Sequence, residues 1–447
     1  MFSNFEQANE YLETLIPKEY KPTEALKLER ITYLLKLLGK PHQKFKSIHV
    51  GGTSGKGSVC YYLSQILTAQ GYKTGLHISP HLQTIRERMQ INGELISEKE
   101  FVNLVNKIKP LVEETEKNLS FDKPSYFEAT VAIAFDYFAK ANVDIAVVEV
   151  GLGGKLDATN VIHPLISIIT NVGLDHTEIL GHTVEKIARD KSGIIKKNVP
   201  VISGAQQLAV KKVIAKKSLE NSSKIFFINE KFGYKIREIS FSGTKFDFRW
   251  FDRVTSHQLS TPASYQVENA SLALGAVNLL AEHGFKIKEE KLYKSLANAK
   301  VPGRFEIAQK KLQIILDGAH NPVKAKALIN SLTSLIPNQK FVFIVAFKKD
   351  KDIEKMLKIL KPHAKAFVIT EFTMTTDMGQ HFAARAEEVV KIFKSLKFSG
   401  KVLIEKNSKN TLKKAKQIAD LGDAIIATGS LYLVGELRNL FYPTRDN

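Results

Sequence analysis

The stretch GGTSGKGS at residues 51–58 combines residue types that bind phosphate. Glycines lie on both sides of Lys56, and Ser58 follows two positions later. In such a turn the backbone N–H groups face an anion, the lysine neutralises its charge, and the hydroxyl serves a phosphate or its Mg²⁺. The spacing departs from the common G-x-x-x-x-G-K-[ST] pattern, since Val50 replaces the first glycine and the serine comes one residue late. The stretch therefore predicts a nucleotide-phosphate site of an unusual kind.

A strand, a turn and a helix are the elements that must position this loop. The run KSIHV precedes it, and SVCYYLSQILTAQ follows with apolar residues at helical spacing. Further nearly continuous apolar runs, VDIAVVEV, LISIITNV and VPVISG, are typical of parallel strands covered by helices on both faces. The stretch YKIREISFSGTKFDFRW alternates polar and apolar residues instead, which predicts an antiparallel hairpin near residues 233–251.

Strands and helices alternate again after VPGRFEI, in the runs LQIILDG, KFVFIVAF, AKAFVIT, KVLIEK and DAIIATG. This second block has about 145 residues, the usual size of one doubly wound domain. We therefore predict an α/β protein of two domains. Residues 1–299 form an N-terminal domain with the phosphate loop and a mostly parallel sheet, and residues 300–447 form a smaller, Rossmann-like α/β domain.

Composition places the 447-residue chain among soluble globular proteins, with 44% hydrophobic and 25% charged residues. No apolar run approaches the ~20 residues needed to cross a bilayer, and the acidic N-terminus indicates a first helix rather than a signal. The single cysteine, Cys60, excludes an internal disulfide and fits a reducing cytoplasm. The net charge of +19 is spread along the chain, which favours a solvated surface over a nucleic-acid footprint. We expect a cytoplasmic protein that binds neither membrane nor nucleic acid.

Polar residues stand where several apolar strands end, the edge at which α/β sheets bind ligands. Glu149 lies at the end of DIAVVEV, where it could hold Mg²⁺ or cap a helix. His176 follows LISIITNVGLD and could be a metal ligand or a structural histidine. Asp317 in LDGAHNP is hard to explain by turn chemistry alone, whereas Arg304 at the domain junction could form an interdomain ion pair. Lys191 is, from pattern alone, one lysine among many.

The loop spacing matches G-T-[NS]-G-K-G-S, a variant found in ATP-dependent amide ligases of the Mur ligase superfamily. Further family blocks follow in family order: SPHLQTIRERMQINGELIS, SYFEATVAIAFDYF, VVEVGLGGKLDATN, ITNVGLDHTEILGHTVEKIARDKSGIIK, LDGAHNP and TGSLYLVGEL. Together they extend over nearly the whole chain, which resembles the folylpolyglutamate synthase/dihydrofolate synthase family. Ligases that act on UDP-linked muropeptides normally carry an extra N-terminal domain before the loop. Here only about 50 residues precede the loop, too few for an ordinary domain, which favours the folate branch.

The resemblance implies roles for individual residues. For ATP it implies Gly52, Thr53, Gly55, Lys56, Gly57, Ser58, Asn269, Arg304 and Asp317. For two Mg²⁺ sites it implies Ser58, Ser79, Glu149, His176 and Lys191, the last carbamylated so that an ammonium becomes an oxygen ligand. For catalysis it implies Lys56, Lys191, His176, Asp317 and His320. Carbamylation needs a neutral amine, so the surroundings of this lysine must lower its pKa.

The activity implied by the resemblance is ATP-dependent addition of L-glutamate to a folate, and also to dihydropteroate, through an acyl phosphate. The resemblance also implies that the enzyme is a monomer. One alternative is a Mur-type amide ligase with a non-folate carboxylate substrate. Another is a basic, nucleotide-dependent protein that binds nucleic acid, but it leaves GLGGKLDATN and LDGAHNP unexplained. A degenerate binding module is disfavoured because the implied phosphate and metal residues are all present. The sequence does not identify a general base for the attacking amine.

Some positions depart from the family pattern. Ser54 replaces asparagine, Lys155 replaces arginine and Ser192 replaces alanine. Tyr265 replaces histidine and is therefore given no role, and residues 371–388 resemble the family only weakly and are assigned nothing.

Overall fold

The fold is mixed α/β and contains two large, mostly parallel sheets, as predicted. A computed structural model of the protein describes residues 1–17, 27–119, 123–309, 312–377, 379–420 and 422–443. The strands of the first sheet lie within residues 46–227, and those of the second within residues 306–428. Every elongated apolar run singled out in the sequence contains one of these strands.

The first sheet consists of β1 Lys46–Gly51, β2 Thr74–His77, β3 Gln90–Ile91, β4 Glu94–Leu95, β5 Ile145–Glu149, β6 Ile166–Ile169, β7 Val201–Ser203 and β8 Ile225–Phe227. The strand order is β4-β3-β2-β5-β1-β6-β7-β8. Pairs β2–β3 and β3–β4 are antiparallel, and β2, β5, β1, β6, β7 and β8 run parallel. The carboxyl ends of the central strands β5, β1 and β6 therefore lie side by side.

Helices cover both faces of this sheet: α1 Phe5–Glu13, α2 Leu28–Leu37, α3 Lys56–Gln70, α4 Glu98–Leu119, α5 Tyr126–Lys140, α6 Thr177–Leu180, α7 Val184–Lys191, α8 Leu208–Glu220, α9 Tyr265–Glu282 and α10 Glu289–Asn298. Leu63 of α3 and Leu272 of α9 share one core cluster, and Leu34 of α2 and Phe135 of α5 share another. Alternate residues of β5 belong to the two clusters, so both of its faces are buried. Within the described part of the chain, no helix is long and apolar enough to span a membrane.

The hairpin predicted near residues 233–251 is confirmed, and a third strand extends it. The strands are β9 Phe232–Ser240, β10 Gly243–Trp250 and β11 Arg253–Leu259, in the order β11-β10-β9 with antiparallel pairing. Phe232, Phe246 and Phe248 point into the core cluster that contains α9. This small sheet therefore supports the helix that carries Asn269.

The second sheet consists of β12 Glu306–Gln309, β13 Gln313–Leu316, β14 Phe341–Val345, β15 Ala364–Ile369, β18 Lys401–Ile404 and β19 Ala424–Thr428, with the hairpin β16 Thr373–Thr376 and β17 Gly379–Phe382 beside it. Its order is β12-β13-β19-β14-β15-β18, and β12 pairs antiparallel to β13. The surrounding helices are α11 Pro322–Leu335, α12 Ile353–Leu360, α13 Ala386–Ser395, α14 Ser408–Ile418 and α15 Leu431–Arg438. This arrangement agrees with the predicted second α/β domain.

The second domain contacts the first beside β2. The Arg88 guanidinium donates two hydrogen bonds, of 2.9 and 2.7 Å, to the carboxylate of Asp377, between β16 and β17. Gly435 of α15 lies so close to the segment after β2 that a Cβ there would come 2.1 Å from the Leu82 carbonyl oxygen. These contacts hold the second sheet near the ligand-binding edge of the first.

Candidate active site

The phosphate loop connects β1 to α3 and is shaped by its glycines. Gly52 has φ +138° and Gly55, which precedes α3, has φ +88°, conformations that side chains other than glycine rarely adopt. The segment after β6 holds the loop, because Thr53 N donates to Asn171 O at 2.8 Å. A Cβ on Gly52 would come 2.0 Å from Thr170 Oγ1. The glycines are therefore needed both for backbone conformation and for packing against this segment.

Two lysine amines meet at the carbonyl oxygen of Gly52. Lys56 Nζ lies 3.3 Å from this oxygen, and Lys191 Nζ, at the end of α7, lies 3.0 Å from it. Lys191 is 5% exposed. Burial, followed by the charge of Lys56, lowers the pKa of Lys191 to about 7. A large fraction of this amine is therefore neutral near physiological pH, as carbamylation requires; the modification itself stays a prediction.

Glu149 lies at the end of β5, facing the first turn of α3. Its carboxylate accepts a hydrogen bond of 3.0 Å from Ser79 N, and a Cβ on Gly57 would come 3.4 Å from it. Burial raises the pKa of Glu149, and the charge of Lys56 opposes that rise. Ser58 lies in the same helical turn and is 3% exposed. The structure thus brings a buried carboxylate beside Ser79 and the turn that contains Ser58.

The donors at this edge are mainly oxygen atoms, which suit Mg²⁺. Among the described residues, no group of three or more His, Cys, Asp or Glu side chains is arranged to hold a metal ion. Mg²⁺ usually keeps several waters and takes only one or two carboxylates beside substrate phosphates. The donor set of Glu149, Ser58 and Ser79 therefore fits the ion without a larger acidic cluster.

His176 and Asp175 lie beyond the end of β6, toward the second domain. His176 directly precedes α6 with φ 49°, and its side chain is 36% exposed. Asp175 accepts a hydrogen bond of 3.2 Å from His176 N and lies 3.7 Å from Lys351 Nζ. Burial opposes ionisation of Asp175, but the charges of His176 and Lys351 outweigh it and lower its pKa to about 2. This carboxylate therefore joins His176 to a cation of the second domain.

Asp317 follows β13 and is 3% exposed. Its carboxylate accepts hydrogen bonds from the Tyr265 hydroxyl at 2.6 Å, from Phe305 N at 2.9 Å and from Ala319 N at 2.9 Å. Burial raises the pKa of Asp317, and the Tyr265 hydroxyl is the first of the groups that oppose the rise. Tyr265, which has no role from the sequence, thus orients Asp317.

Arg304, His320 and Lys324 are basic side chains of the second domain that lie near one another, and the charges of Lys324 and Arg304 act on His320. Arg304 Nη1 donates to Gly303 O at 3.1 Å. His320 Nδ1 lies 2.9 Å from Gly318 O, which can only accept, so Nδ1 carries the proton and Nε2 is an acceptor. Lys324 Nζ donates to that Nε2 at 2.9 Å. Burial lowers the pKa of His320 well below its usual value, so its ring is neutral.

Two cavities are lined by residues of both domains, and Lys324 of the first contacts His320 of the second. The first has a volume of about 410 Å³ and is lined by Thr53, Ser58, Asn269, Arg304, Asp317 and Lys324, among others. The second has a volume of about 260 Å³ and is lined by Ser79, His176, His320, Lys351, Asp377 and Tyr432, among others. Asn269 also packs on the phosphate loop, since a Cβ on Gly55 would come 2.2 Å from its Oδ1. Six of the nine residues expected to bind nucleotide line the first cavity, whereas Gly52, Lys56 and Gly57 of the loop do not, and His176 and His320 line the second.

Sequence reasoning missed several residues of this region. Asn171 lies inside a family block, but nothing in its local sequence indicates a function. Its backbone oxygen holds Thr53 of the loop, which lies more than 100 residues earlier in the chain. Asp377 lies in the weakly matching segment 371–388, and only its pairing with Arg88 shows that it belongs beside the second cavity. Lys324 lies two residues beyond the LDGAHNP block, so that block indicated neither Lys324 nor its contact with His320.

Comparisons with known proteins agree with this geometry. The model of the Mur ligase middle domain matches residues 50–277, and the model of the dihydrofolate synthetase C-terminal domain matches residues 302–440. The dihydrofolate synthase/folylpolyglutamate synthase of Bacillus subtilis (strain 168) is 30% identical over 98% of this chain and 99% of its own. The folylpolyglutamate synthase of Thermotoga maritima is 36% identical, with a TM-score of 0.85 over 99% of this chain and 98% of its own. That of Mycobacterium tuberculosis, complexed with ADP and AMPPCP, is 30% identical, with a TM-score of 0.88 over 99% of both chains.

The fold and these matches define an ATP-dependent ligase built like the Mur ligases. The first family match covers half of the chain, and the Bacillus subtilis relative aligns along nearly its whole length. The chain belongs to the dihydrofolate synthase/folylpolyglutamate synthase family of Mur-type ligases. The fold class, the family and the enzyme class predicted from the sequence are therefore confirmed.

Proposed function

We propose that the protein uses ATP and Mg²⁺ to add L-glutamate to folates, and also to dihydropteroate, through an acyl phosphate. The observation that carries this proposal is the closeness of the two cavities: Lys324, which lines the first, lies 2.9 Å from His320, which lines the second. A phosphoryl group in the first cavity is then a neighbour of an acceptor carboxylate in the second. The Bacillus subtilis relative is named for both activities and the Thermotoga maritima relative for one, so the names support a folate substrate more strongly than dihydropteroate.

In the first step, a carboxylate oxygen of the acceptor attacks the γ-phosphorus of ATP in line. The bond from that phosphorus to the bridging oxygen breaks, which gives ADP and an acyl phosphate. Lys56 and the N–H groups of the loop hold the phosphates, while Asn269 contacts the base. Arg304 and Asp317 bind the nucleotide from the second domain, so the chemistry depends on both domains.

Glu149, Ser58 and Ser79 would hold one Mg²⁺, and His176 and carbamylated Lys191 would contribute to a second. When bound, the ions supply charge neutralisation at the phosphate oxygens. The buried setting of Glu149 supports this assignment, because a carboxylate that lies apart from bulk water is stabilised by a cation.

In the second step, the amine of L-glutamate attacks the acyl carbon. The tetrahedral intermediate then releases phosphate as the amide forms, and the proton that the amine nitrogen loses is taken up by the released phosphate or by solvent. Water must be kept from the acyl phosphate, which would otherwise be hydrolysed. Arg88 and Asp377 close the domain boundary beside the second cavity and so help to exclude it.

We also propose the division of the chain into residues 1–299 and 300–447, a monomeric state and a cytoplasmic location. The two family matches end at residue 277 and begin at residue 302, which supports a boundary between them. Cys60 is buried and free, which supports a reducing compartment.

The test is ADP formation by the purified protein with ATP, Mg²⁺ and L-glutamate, and with either dihydropteroate or tetrahydrofolate as the acceptor. Turnover with both acceptors is the expected result. Turnover with tetrahydrofolate alone would restrict the enzyme to extension of folate tails. Nucleotide binding without turnover on either acceptor would contradict the folate assignment and indicate a different carboxylate substrate.

Two lysine variants serve as the negative and positive controls. Lys56→Met removes the loop cation and should abolish turnover with every acceptor. Lys326→Met, on the exposed side of α11, should leave turnover unchanged. If both variants retained activity, the phosphate loop would not be the site of the reaction.

A further inference from the structure

We propose that Lys324 binds the transferred phosphate of ATP and takes up a proton from solvent when the nucleotide binds. The inference rests on the proposed function, because it needs ATP in the first cavity. It adds a further cation to the residues of this reaction, one that no family block indicated.

The position of Lys324 is defined by the start of α11. Asn321 precedes the helix, and its side-chain oxygen accepts a hydrogen bond of 2.9 Å from Lys324 N. The side chain then lines the nucleotide cavity, while its amine reaches His320 Nε2, which belongs to the second cavity. Lys324 thus stands at the junction that a phosphoryl group must cross on its way from ATP to the acceptor.

The charges around Lys324 favour an anion at this junction. Besides the neutral ring of His320, the charged groups that face it from the phosphate loop, the domain junction, the segment after β6 and the loop after β14 are Lys56, Arg304, Asp175 and Lys351. Three of these four groups are cations, and the single carboxylate also lies within 3.7 Å of Lys351. A further ammonium here is repelled until an anion of several charges, such as a triphosphate, occupies the cavity.

Burial, followed by the charge of Arg304, lowers the pKa of Lys324 to about 7. The amine is therefore mostly neutral at about pH 8 when the cavity contains no nucleotide, and phosphate oxygens raise its affinity for a proton. The expected uptake attributable to Lys324 at that pH is about 0.9 proton per nucleotide bound. The proton comes from buffer, so the uptake changes the measured heat of binding in proportion to the ionisation enthalpy of the buffer.

The experiment is calorimetric titration of the full-length protein with the methylene analogue AMPPCP and Mg²⁺, in HEPES and in Tris at about pH 8. The difference between the two buffers yields the number of protons taken up. Lys324→Met should lower this number by about 0.9 and weaken binding by about tenfold or more, because a charge-assisted contact is lost. Lys324→Arg, which is always protonated, should bind nucleotide but also lack this uptake. Lys326→Met, from the exposed side of the same helix, should behave as the wild type.

Several outcomes would overturn the inference. One is unchanged proton uptake in Lys324→Met when thermal unfolding shows that the variant is folded. Another is equal uptake with ADP and AMPPCP, which would exclude the terminal phosphate as the partner. Failure of the wild type to bind AMPPCP at all would instead contradict the proposed function, so the two failures are distinguishable.

Discussion

Replacing Gly154 with alanine should displace Lys191 from the phosphate loop. Gly154 lies in the segment after β5, and its backbone packs directly against the end of α7. A Cβ added there would come 2.8 Å from Lys191 O, 2.9 Å from Lys191 Cα and 3.0 Å from Asp190 O. All three are backbone atoms, so no side-chain rotation relieves the contact. Either the segment or the end of α7 must move.

The size of the effect follows from these distances. Ordinary Cβ contacts begin at 3.4 Å, so the two backbones must separate by 3.4 − 2.8, or about 0.6 Å. Overpacking of this kind typically costs about 1–3 kcal/mol of unfolding free energy. A misplacement of about 1 Å at a reacting group can reduce the rate a hundredfold, so we expect kcat/KM to fall about 10- to 100-fold.

The measurements are urea denaturation and steady-state ADP formation. Gly233→Ala is the matched control, because that glycine lies in β9, does not pack against α7, and the nearest atom to an added Cβ is 3.5 Å away. The control should keep the activity of the wild type. If Gly154→Ala were as stable and as active as the wild type, the close approach of this segment would not position Lys191 and the reasoning would fail.

Three further predictions concern contacts that the tertiary structure creates. Tyr265→Phe removes a 2.6 Å hydrogen bond to the Asp317 carboxylate, typically worth about 1.5–3 kcal/mol, so the KM for ATP should rise about tenfold or more in steady-state assays. Asp377→Asn removes the charged partner of Arg88, whose side chain is 1% exposed. Breaking a buried ion pair usually costs about 3–5 kcal/mol of unfolding free energy. Because the Asp377 side chain is 23% exposed, we expect a loss of about 1–3 kcal/mol, measured by urea denaturation. Burial lowers the pKa of His257 to about 4, so the unfolded chain binds more protons between pH 6.5 and 4 and stability falls as pH falls through that window. His257→Phe should flatten this dependence by about 1.2 kcal/mol per pH unit near pH 5.

A specific result would contradict each of these predictions. Unchanged ATP kinetics in Tyr265→Phe would mean that its hydroxyl does not orient Asp317. Glu290→Gln breaks a solvent-exposed pair with Lys294 and should not change the urea midpoint, so a similar result for Asp377→Asn would show that the interdomain pair contributes nothing. For His257→Phe, an unaltered pH profile would assign the acid sensitivity to other groups.

Nine strands of the two sheets, β1, β5, β6, β7, β13, β14, β15, β18 and β19, were predicted because burial on two faces favours nearly continuous apolar runs. The shorter or flanking strands β2, β3, β4, β8 and β12 were not predicted. VDIAVVEV is an example, since every residue of β5 is buried. Strand β11 was not predicted: RVTSHQL is mostly polar, and its inward residues, His257 and Leu259, become evident only when β10 is paired beside it. The local pattern therefore identified the elements whose own composition requires burial and missed those stabilised by a neighbour.

The sequence by itself determined the phosphate loop and the family, because residues 51–58 are neighbours in the chain and a single turn brings their functional groups together. The ends of the apolar strands made Glu149 and His176 candidates, because strand ends in a parallel sheet converge at one edge, but only the family resemblance chose between a ligand and a structural role for each. Only the tertiary structure decided the contacts of Tyr265 with Asp317 and of Arg88 with Asp377. The first joins residues 52 positions apart and the second joins residues 289 positions apart. Such contacts depend on how helices and domains pack, and packing at that distance leaves no periodic signal in the sequence.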